Sequence, residues 1–453
     1  MKKNYFFLIL FSILSFNSFS QTHTWTGDGN DFNWFNTSNW DTNAVPSNNQ
    51  LAIIPENFYV EIIDDFAYAS VIQIRSNSTL SIENNLTVNQ AIFTSQETNI
   101  VWKKGVFKGG MIINGDLNIE SFEAKEFDNG FIGNYGTIKI LNSSTINFLN
   151  EVNIFNSIDG IISIESSGGF VEVDGNTIIE NEGLIEMPSN EMNRNYYMIL
   201  DINNMGTINV GENQAFLFLV NSQNLNNMET GRLEGKGVFD ITSNFTNLGT
   251  FSPAGNSVIG TLEVINNFSF PVESNLEIDI HGTAEDEYDT IAITGFPNLN
   301  GTIYVNLEYA PLIDDEFIVI TANDIVSCNL PEYLTAEFEG EEFYFEVICD
   351  NTSVKLRVVE EVLDIEEITS EGYKFYVQPN PVKEDFKVIL NPDFSAGKNI
   401  SVELYNYFGQ KVKSQNMTSS EIKLQKGNLT SGLYLLLLKE GNSIIAKKKL
   451  IFE

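Results

Sequence analysis

The chain has 453 residues, of which 42% are hydrophobic, enough for two or three domains with their own cores. It carries 61 Asp and Glu against 25 Lys and Arg, and residues 21–370 alone hold 53 acids against 11 basic residues. This negative charge disfavours nucleic acid and anionic membranes as partners and favours solubility.

The N-terminus predicts export. Residues 1–3 are basic, and residues 5–16 form an apolar stretch too short to span a bilayer. Small residues at Ser18 and Ser20 place the cut before Gln21, so residues 1–20 are interpreted as a signal peptide. Elsewhere no stretch approaches about 18 consecutive apolar residues, so no transmembrane segment is expected.

Residues 21–100 are predicted to form an N-terminal cap and the first coils of a repeat structure. Three of the four tryptophans, Trp25, Trp34 and Trp40, lie in this stretch. They would close the first coil and cover an exposed strand edge, or they would form a platform on which sugar rings stack. The order of the Trp-Thr-Gly, Asn-Trp and Val-Pro blocks resembles the opening of bacterial surface β-solenoid proteins.

Residues 101–250 contain a repeat. Its glycines recur about every 23 residues, and each precedes alternating apolar residues: Gly115, Gly136, Gly160, Gly183 and Gly206. This period predicts one coil of an all-β, right-handed β-solenoid of the parallel β-helix kind, because a strand with one apolar face needs stacked neighbours.

Two finer expectations follow from the repeat. The isoleucines two residues after the repeat glycines should form one buried column: Ile138, Ile162, Ile185 and Ile208. The glycines, and the asparagine pairs 203–204 and 226–227, should occupy corners that need a positive φ, with the asparagines stacked.

Residues 251–360 are predicted to close the stack. Blocks between residues 252 and 305 resemble the terminal rungs of autotransporter-passenger-type β-helices. Cys328 and Cys349 both follow strand-like segments, and an even cysteine count in an exported protein favours a disulfide between them.

Residues that suit catalysis or metal binding are few. His23 and His281 are the only histidines and have no recognisable nucleophile nearby. Acidic clusters could bind calcium, although turn and surface roles suit them better: Asp28, Asp31 and Asp41, residues 285–287, and residues 314–316. Enzymes that cleave acidic polysaccharides need basic residues, which are scarce here: Lys103, Lys104, Lys108, Arg194 and Arg232. We therefore expect no cofactor and no enzymatic activity.

An acidic linker, residues 361–372, leads to a basic tail, residues 373–453. Alternating apolar residues predict strands at 386–390 and 402–405, with turns at Gly409 and Gly432, and so a small β-sandwich. The tail contains four motifs in order: Pro379-Asn380-Pro381, Gly409, Gly432 with Tyr434, and Lys447-Lys448-Lys449. In this it resembles the type A C-terminal sorting domain that Bacteroidetes use for type IX secretion.

The resemblance implies that the type IX machinery and its sortase are partners. It also implies that the tail is removed on export and that the protein reaches the cell surface or the medium. The sequence favours a structural, adhesion-type protein that meets a surface glycan or matrix. The alternatives are a glycan-binding protein using the tryptophan end and, less favoured, a polysaccharide-active enzyme.

Overall fold

The computed structural model describes residues 21–123, 125–189, 194–218, 223–241, 244–265, 269–360, 375–378, 382–383, 385–390, 400–406, 408–417, 419, 421–441 and 443–452. The chain divides into two compact units between residues 360 and 361. None of the helical segments in these ranges has the length and apolar character needed to cross a bilayer. Thr37–Asn39 forms a single 3-10 turn.

The first unit begins with eighteen strands: β1 (Thr22–Thr24), β2 (Leu51–Ile54), β3 (Tyr59–Ile62), β4 (Ala67–Ile74), β5 (Thr79–Ile82), β6 (Leu86–Thr94), β7 (Asn99–Trp102), β8 (Gly105–Ile113), β9 (Asp116–Ile119), β10 (Lys125–Asn134), β11 (Thr137–Ile140), β12 (Thr145–Asn156), β13 (Ile161–Ile164), β14 (Gly168–Asn181), β15 (Leu184–Met187), β16 (Arg194–Ile199), β17 (Asp201–Asn204) and β18 (Thr207–Val210).

It continues with seventeen more: β19 (Gln214–Phe218), β20 (Asn224–Asn227), β21 (Arg232–Gly235), β22 (Val238–Ile241), β23 (Asn244–Asn247), β24 (Thr250–Pro253), β25 (Thr261–Ile265), β26 (Ser269–Phe270), β27 (Asn275–Ile280), β28 (Thr290–Thr294), β29 (Asn298–Leu299), β30 (Thr302–Leu307), β31 (Glu316–Ala322), β32 (Ser327–Cys328), β33 (Tyr333–Phe338), β34 (Glu341–Cys349) and β35 (Ser353–Val359).

Two long parallel sheets build a β-solenoid of about 10 turns, which confirms the predicted fold class. The first sheet has twelve strands in the order β3, β5, β7, β9, β11, β13, β15, β18, β21, β24, β27 and β30. The second runs from β1 and β2 through β4, β6, β8, β10, β12 and β14. Parallel pairing continues without a break at residues 100 and 250, where the sequence predicted the repeat region to begin and end.

The second sheet bends within its long strands. Register shifts interrupt the pairing there, and the bulged residues Asn129 and Asn150 have φ near +59°, which asparagine tolerates well. Beyond β14 the two arms of the bend separate into two rows. One row is β16, β19, β22, β25 and β28, and the other is β17, β20 and β23.

The predicted isoleucine column is confirmed. Ile138 pairs with Ile162, Ile162 with Ile185 and Ile185 with Ile208, and all four are buried. Because side chains alternate along each strand, this in-register pairing stacks identical apolar positions along the inside of the first sheet.

The repeat glycines are required for a reason other than the predicted one. None of the five has a positive φ. A Cβ on Gly136 would lie 2.1 Å from the Gly115 carbonyl oxygen, and one on Gly206 would lie 2.1 Å from the Gly183 carbonyl oxygen. Successive coils therefore approach too closely there for any side chain. The five glycines do lie at the predicted corners between strands, but positive φ is the wrong reason for them.

A ladder of asparagines runs along the inside of the second sheet. Its six members are buried, and each of the first five donates its Nδ2 N–H to the Oδ1 of the next at 2.7 Å: Asn134, Asn156, Asn181, Asn204, Asn227 and Asn247. The amides also bond backbone carbonyls, as Asn156 does to Gly160 at 3.1 Å. The amides from Asn134 to Asn227 are thereby satisfied from coil to coil, and the row ends at Asn247, whose Nδ2 has no partner among the described residues.

The pairs 203–204 and 226–227 stack as predicted but are wrongly placed at corners, because they lie in strands β17 and β20. Asn204 and Asn227 belong to the buried ladder, whereas Asn203 and Asn226 face outward. The Nδ2 of Asn226 donates to the Oδ1 of Asn203 at 2.9 Å.

Antiparallel strands end the solenoid. β31 pairs in parallel with β28 and antiparallel with β35, and β34 pairs antiparallel with both β33 and β35. A disulfide between Cys328 and Cys349 joins β32, in the last parallel rung, to β34. The change of strand direction gives the last coil a partner that is not another coil.

The described residues of the second unit form seven strands: β36 (Phe375–Gln378), β37 (Asp385–Leu390), β38 (Ile400–Asn406), β39 (Lys411–Asn416), β40 (Glu421–Gln425), β41 (Gly432–Glu440) and β42 (Ser443–Phe452). They form two antiparallel sheets, β36-β37-β40 and β39-β38-β41-β42, whose apolar side chains make one cluster. The predicted strands are present. Gly409 lies in a turn, but Gly432 begins β41 and is not a turn residue.

A charge placed in the isoleucine column tests the register. Ile185→Asp should lower the free energy of unfolding by about 3 kcal/mol or more, because the carboxylate would be buried without a partner. Leu184→Asp is the matched control, since Leu184 is the half-buried outward neighbour in the same strand. Equal melting of the two variants by circular dichroism would contradict the register.

Loss of one ladder amide should also be costly. Asn181→Ala removes the acceptor for Asn156 and the donor for Asn204, so it should cost about 1–3 kcal/mol. Asn209→Ala, a half-buried position on the outside of β18, should cost much less. Urea unfolding of both variants measures the difference, and equal midpoints would show that the ladder contributes no stability.

Candidate functional site

The three N-terminal tryptophans form a buried cluster. Trp25, Trp34 and Trp40 have at most 2% of their surface exposed. The rings of Trp25 and Trp34 meet that of Trp40 edge to face, with centroids 5.2 and 4.8 Å away. The Trp40 Nε1–H donates to the Trp34 carbonyl at 2.8 Å. This is a packed core at the end of the solenoid.

The backbone around this cluster covers the edges of both sheets. The Trp25 N–H bonds the Ile53 carbonyl of β2 at 2.8 Å, and the Trp34 N–H bonds the Glu61 carbonyl of β3 at 2.9 Å. Phe32 in turn accepts the Glu61 N–H at 2.7 Å. The first coil therefore has no open edge here, which is what a cap provides.

The sugar-platform interpretation of Trp25, Trp34 and Trp40 is wrong. A sugar ring stacks on an exposed aromatic face, and these faces are buried against one another. The cap interpretation accounts for all three residues.

Acidic residues near the cap organise its turns. Asp31 accepts hydrogen bonds from Asn36 at 2.8 Å and from Asn39 at 2.7 Å, and these bonds lower the pKa of Asp31. Asp41 accepts the Thr24 N–H at 2.9 Å. Such bonds are typical of side chains that hold loops in place.

The other acidic clusters also bond their own loops. Glu287 accepts the Ala284 N–H at 3.1 Å, and Asp315 accepts the Leu312 N–H at 2.7 Å. Across the ranges that the structure describes, no three His, Cys, Asp or Glu side chains are grouped as metal ligands would be. Calcium binding stays a prediction.

Three of the solenoid's basic residues, Lys103, Lys108 and Arg232, form ion pairs. Lys103 lies 2.7 Å from Glu83, and this hydrogen bond raises the pKa of Lys103. Lys108 pairs with Asp128 of the next coil, and Arg232 bonds both Glu234 of its own strand and Glu277 of β27. Lys104 is exposed, and the side chain of Arg194 lies outside the described parts.

The two histidines contact groups of their own loops and of the neighbouring coil. His23 Nδ1 is 2.5 Å from the Thr42 hydroxyl and 2.9 Å from the Ala44 carbonyl, within the cap. His281 Nε2 lies 3.5 Å from a carboxylate oxygen of Glu308.

Two ionisable groups have strongly shifted pKa values because they are buried. Burial lowers the pKa of Lys125 to about 8, and its Nζ donates to the carbonyls of Ser121 and Glu123 at 3.0 and 2.8 Å. Burial raises the pKa of Asp289 to about 8, and its oxygens accept two backbone N–H groups. Both side chains are closed off from solvent, so neither offers a reactive group to a substrate.

A patterned surface lies on the outside of the second sheet, on the same strand segments whose inner side carries the asparagine ladder. We call it the amide–aromatic face. Its first outward column is Phe93, Ile112, Gly133, Phe155, Glu180, Asn203, Asn226 and Thr246. Its second is Ala91, Gly110, Phe131, Asn153, Ile178 and Asp201, followed by Asn224 and Asn244.

The early coils supply the aromatic half of this face. Phe93, Phe131 and Phe155 are half-buried. Gly110 lies under the Phe131 ring, because a Cβ there would meet that ring at 2.4 Å. A Cβ on Gly133 would likewise lie 3.0 Å from the Ile112 side chain and 3.3 Å from the Tyr135 ring. The glycines therefore let large side chains lie down against the sheet.

The later coils supply the polar half. Asn203 donates to the Glu180 carboxylate at 2.8 Å, and Asn226 donates to Asn203 at 2.9 Å. In the other column Asn224 donates to Asp201 at 3.1 Å. Burial is the main cause that raises the pKa of Glu180. Amides and carboxylates are thus held in fixed orientations on the surface.

Reasoning from the sequence alone missed this face. Its residues come from a different coil each time, about 23 positions apart, and none of them forms a local motif. The signal that could have found it is an alignment of the coils, which brings Phe155, Glu180, Asn203 and Asn226 into one column.

Those residues of the predicted sorting signal that the structure describes all lie in the second unit. Tyr434 packs its ring 4.7 Å from Phe452 and donates its hydroxyl to the Thr430 carbonyl at 3.0 Å. Lys447, Lys448 and Lys449 lie on β42 opposite β41. Pro379, Asn380 and Pro381 lie outside the described residues.

A buried carboxylate anchors this unit. Glu403 accepts hydrogen bonds from the Tyr405 hydroxyl at 2.6 Å and from Lys411 Nζ at 2.9 Å, and these bonds lower the pKa of Glu403. Lys439 lies 3.6 Å away on β41. Basic residues of the tail therefore serve its own packing in part.

Removal of one cap ring should destabilise the solenoid. Trp34→Ala should cost about 3–5 kcal/mol, because it leaves a cavity against Trp40 and uncovers the first coil. Phe32→Ala is the control, since Phe32 is an exposed aromatic of the same cap. Melting of the purified protein measures both changes, and an unchanged midpoint for Trp34→Ala would contradict the cap.

Comparison with known proteins agrees with the tail's motifs. Residues 376–453 match the family model described as "Secretion system C-terminal sorting domain". A crystal structure of dimeric latent PorU from Porphyromonas gingivalis is similar at 22% identity with a TM-score of 0.17, over 26% of this chain and 12% of that chain. No curated protein matches the chain. Residues 376–453 of this chain are a secretion system C-terminal sorting domain, which directs the protein through the type IX system to the cell surface or the medium.

Proposed function

We propose that this protein works outside the cell as a structural protein of the adhesion type, with the solenoid as the part that meets its partner. The observation that carries the proposal is a solenoid of about 10 turns, covered at its first and last coils, attached to an export signal. Such a module offers a long, rigid, repetitive surface once it is exported.

The surface chemistry supports binding over turnover. The ion pairs of Lys103, Lys108 and Arg232 use three of the solenoid's basic groups to join coils. An enzyme that cleaves an acidic polysaccharide would instead need Lys or Arg side chains free to bind the carboxylates of its substrate. The strongly acidic solenoid supports a partner that is neutral or cationic.

Deletion of the tail tests export and function together. In cells that produce a protein lacking residues 373–453, we expect the solenoid to accumulate in the periplasm in folded form, because the tail forms a compact unit of its own. Wild-type cells should carry the protein at the surface or release it. Cell fractionation, with mass spectrometry of the exported form, measures the location and any loss of the tail.

The same strains test adhesion. Cells without the protein should attach less well to a polysaccharide-coated surface, and the full-length protein should restore attachment. The tail-less protein should not, because it stays inside. Surface display of the tail-less protein would contradict the role of the tail, and full attachment of cells without the protein would contradict the adhesion role.

A further inference from the structure

We infer that the amide–aromatic face binds a neutral polysaccharide whose chain crosses successive coils. The inference rests on the proposed function and names the partner and the site. It comes from the composition of that one face, which carries partly exposed phenylalanine rings on the early coils and oriented amides and carboxylates on the later ones.

The aromatic half provides stacking surface. Phe131 and Phe155 are half-buried, lie on neighbouring coils and stand in adjacent outward columns. Because Gly110 has no Cβ, the Phe131 ring lies close against the backbone of the sheet there and remains partly exposed. The apolar faces of sugar rings pack on exposed aromatic faces of this kind.

The polar half provides hydrogen bonds for hydroxyl groups. An amide can donate two hydrogens and accept through its oxygen, so one bond within the row leaves further capacity. Asn203 and Asn226 use one Nδ2–H each within the row that begins at Glu180. The row therefore holds its members in place before a ligand arrives, which reduces the entropy lost on binding.

The spacing of the coils selects an extended partner. Neighbouring strands lie about 4.7–4.9 Å apart, and the two columns repeat at that interval from Phe93 to Thr246. A ligand with evenly spaced hydroxyl groups can contact several coils at once. A polysaccharide chain has this regularity, and a compact small molecule does not.

The charge of the face selects a neutral polymer over an acidic one. Glu180 and Asp201 lie in its two columns. Lys108, on β8 of the same sheet, is paired with Asp128 at the bend. A uronic acid polymer would place carboxylates against these acids, and like charges repel.

The test uses the purified full-length mature protein and two double variants. Phe131→Leu with Phe155→Leu removes the rings and keeps apolar volume, and Asn203→Ala with Asn226→Ala removes the amides. The matched controls lie on the outside of the other sheet: Tyr304→Leu for an exposed ring and Asn118→Ala for a stacked asparagine. The probes are soluble xylan, mannan and β-glucan as neutral polymers, with polygalacturonate as the acidic one.

We expect the wild type to bind at least one neutral polymer by isothermal titration and not to bind polygalacturonate. Each double variant should weaken that binding about tenfold or more, which corresponds to the loss of a significant contact residue. Both control variants should bind as the wild type does. Circular dichroism melting of every variant shows whether a loss of binding reflects unfolding.

Three results would overturn the inference: no binding of any neutral probe, preferential binding of polygalacturonate, or equal binding by the double variants and the wild type. A double variant that melts like the wild type and loses attachment to a protein-coated surface only would assign the face to a protein partner instead. Failure of this experiment leaves the cell attachment result unchanged, so the face and the adhesion role are judged separately.

Discussion

In-register pairing between successive coils is the interaction on which the solenoid depends. A coil of short strands buries only one side of each strand, so it has no core of its own. Once coils stack, Ile138, Ile162, Ile185 and Ile208 become one column, and the amides from Asn134 to Asn247 become one chain of hydrogen bonds. The close approach of coils at Gly136 and Gly206 follows from the same stacking. The pairing energy is therefore shared along the repeat.

Stacking leaves two unpaired ends, and the chain closes them by different means. At the start, Trp34 and its neighbours bond the edges of both sheets, and the indoles fill the opening. At the other end the strands reverse direction, and the Cys328–Cys349 disulfide joins the last rung to the closing strands. An open parallel edge would pair with any other exposed strand, so both closures keep the stack from growing by association.

Because the inward side chains form the core, the outward side chains of the strands can vary in chemistry without loss of packing. The outward positions of the first sheet and of the amide–aromatic face do not contribute to the core, and their chemistry differs strongly along the solenoid. Rings lie on the early coils and amides on the later ones. The tail is separate in its core, since its cluster around Leu436 and Phe452 is distinct from that of the solenoid. Export and surface chemistry thus reside in different compact units.

Local patterns in the sequence were sufficient for the repeat, the isoleucine column, the all-β class and the sorting domain, because each depends on spacing or on a contiguous motif. Three matters needed the tertiary structure. The burial of Trp25, Trp34 and Trp40 depends on what packs over them, which composition does not contain. The reason for the repeat glycines is a contact with the preceding coil, not their own φ. The amide–aromatic face joins residues about one coil apart, such as Phe155, Glu180 and Asn203, and only the register of the stacked strands brings them together.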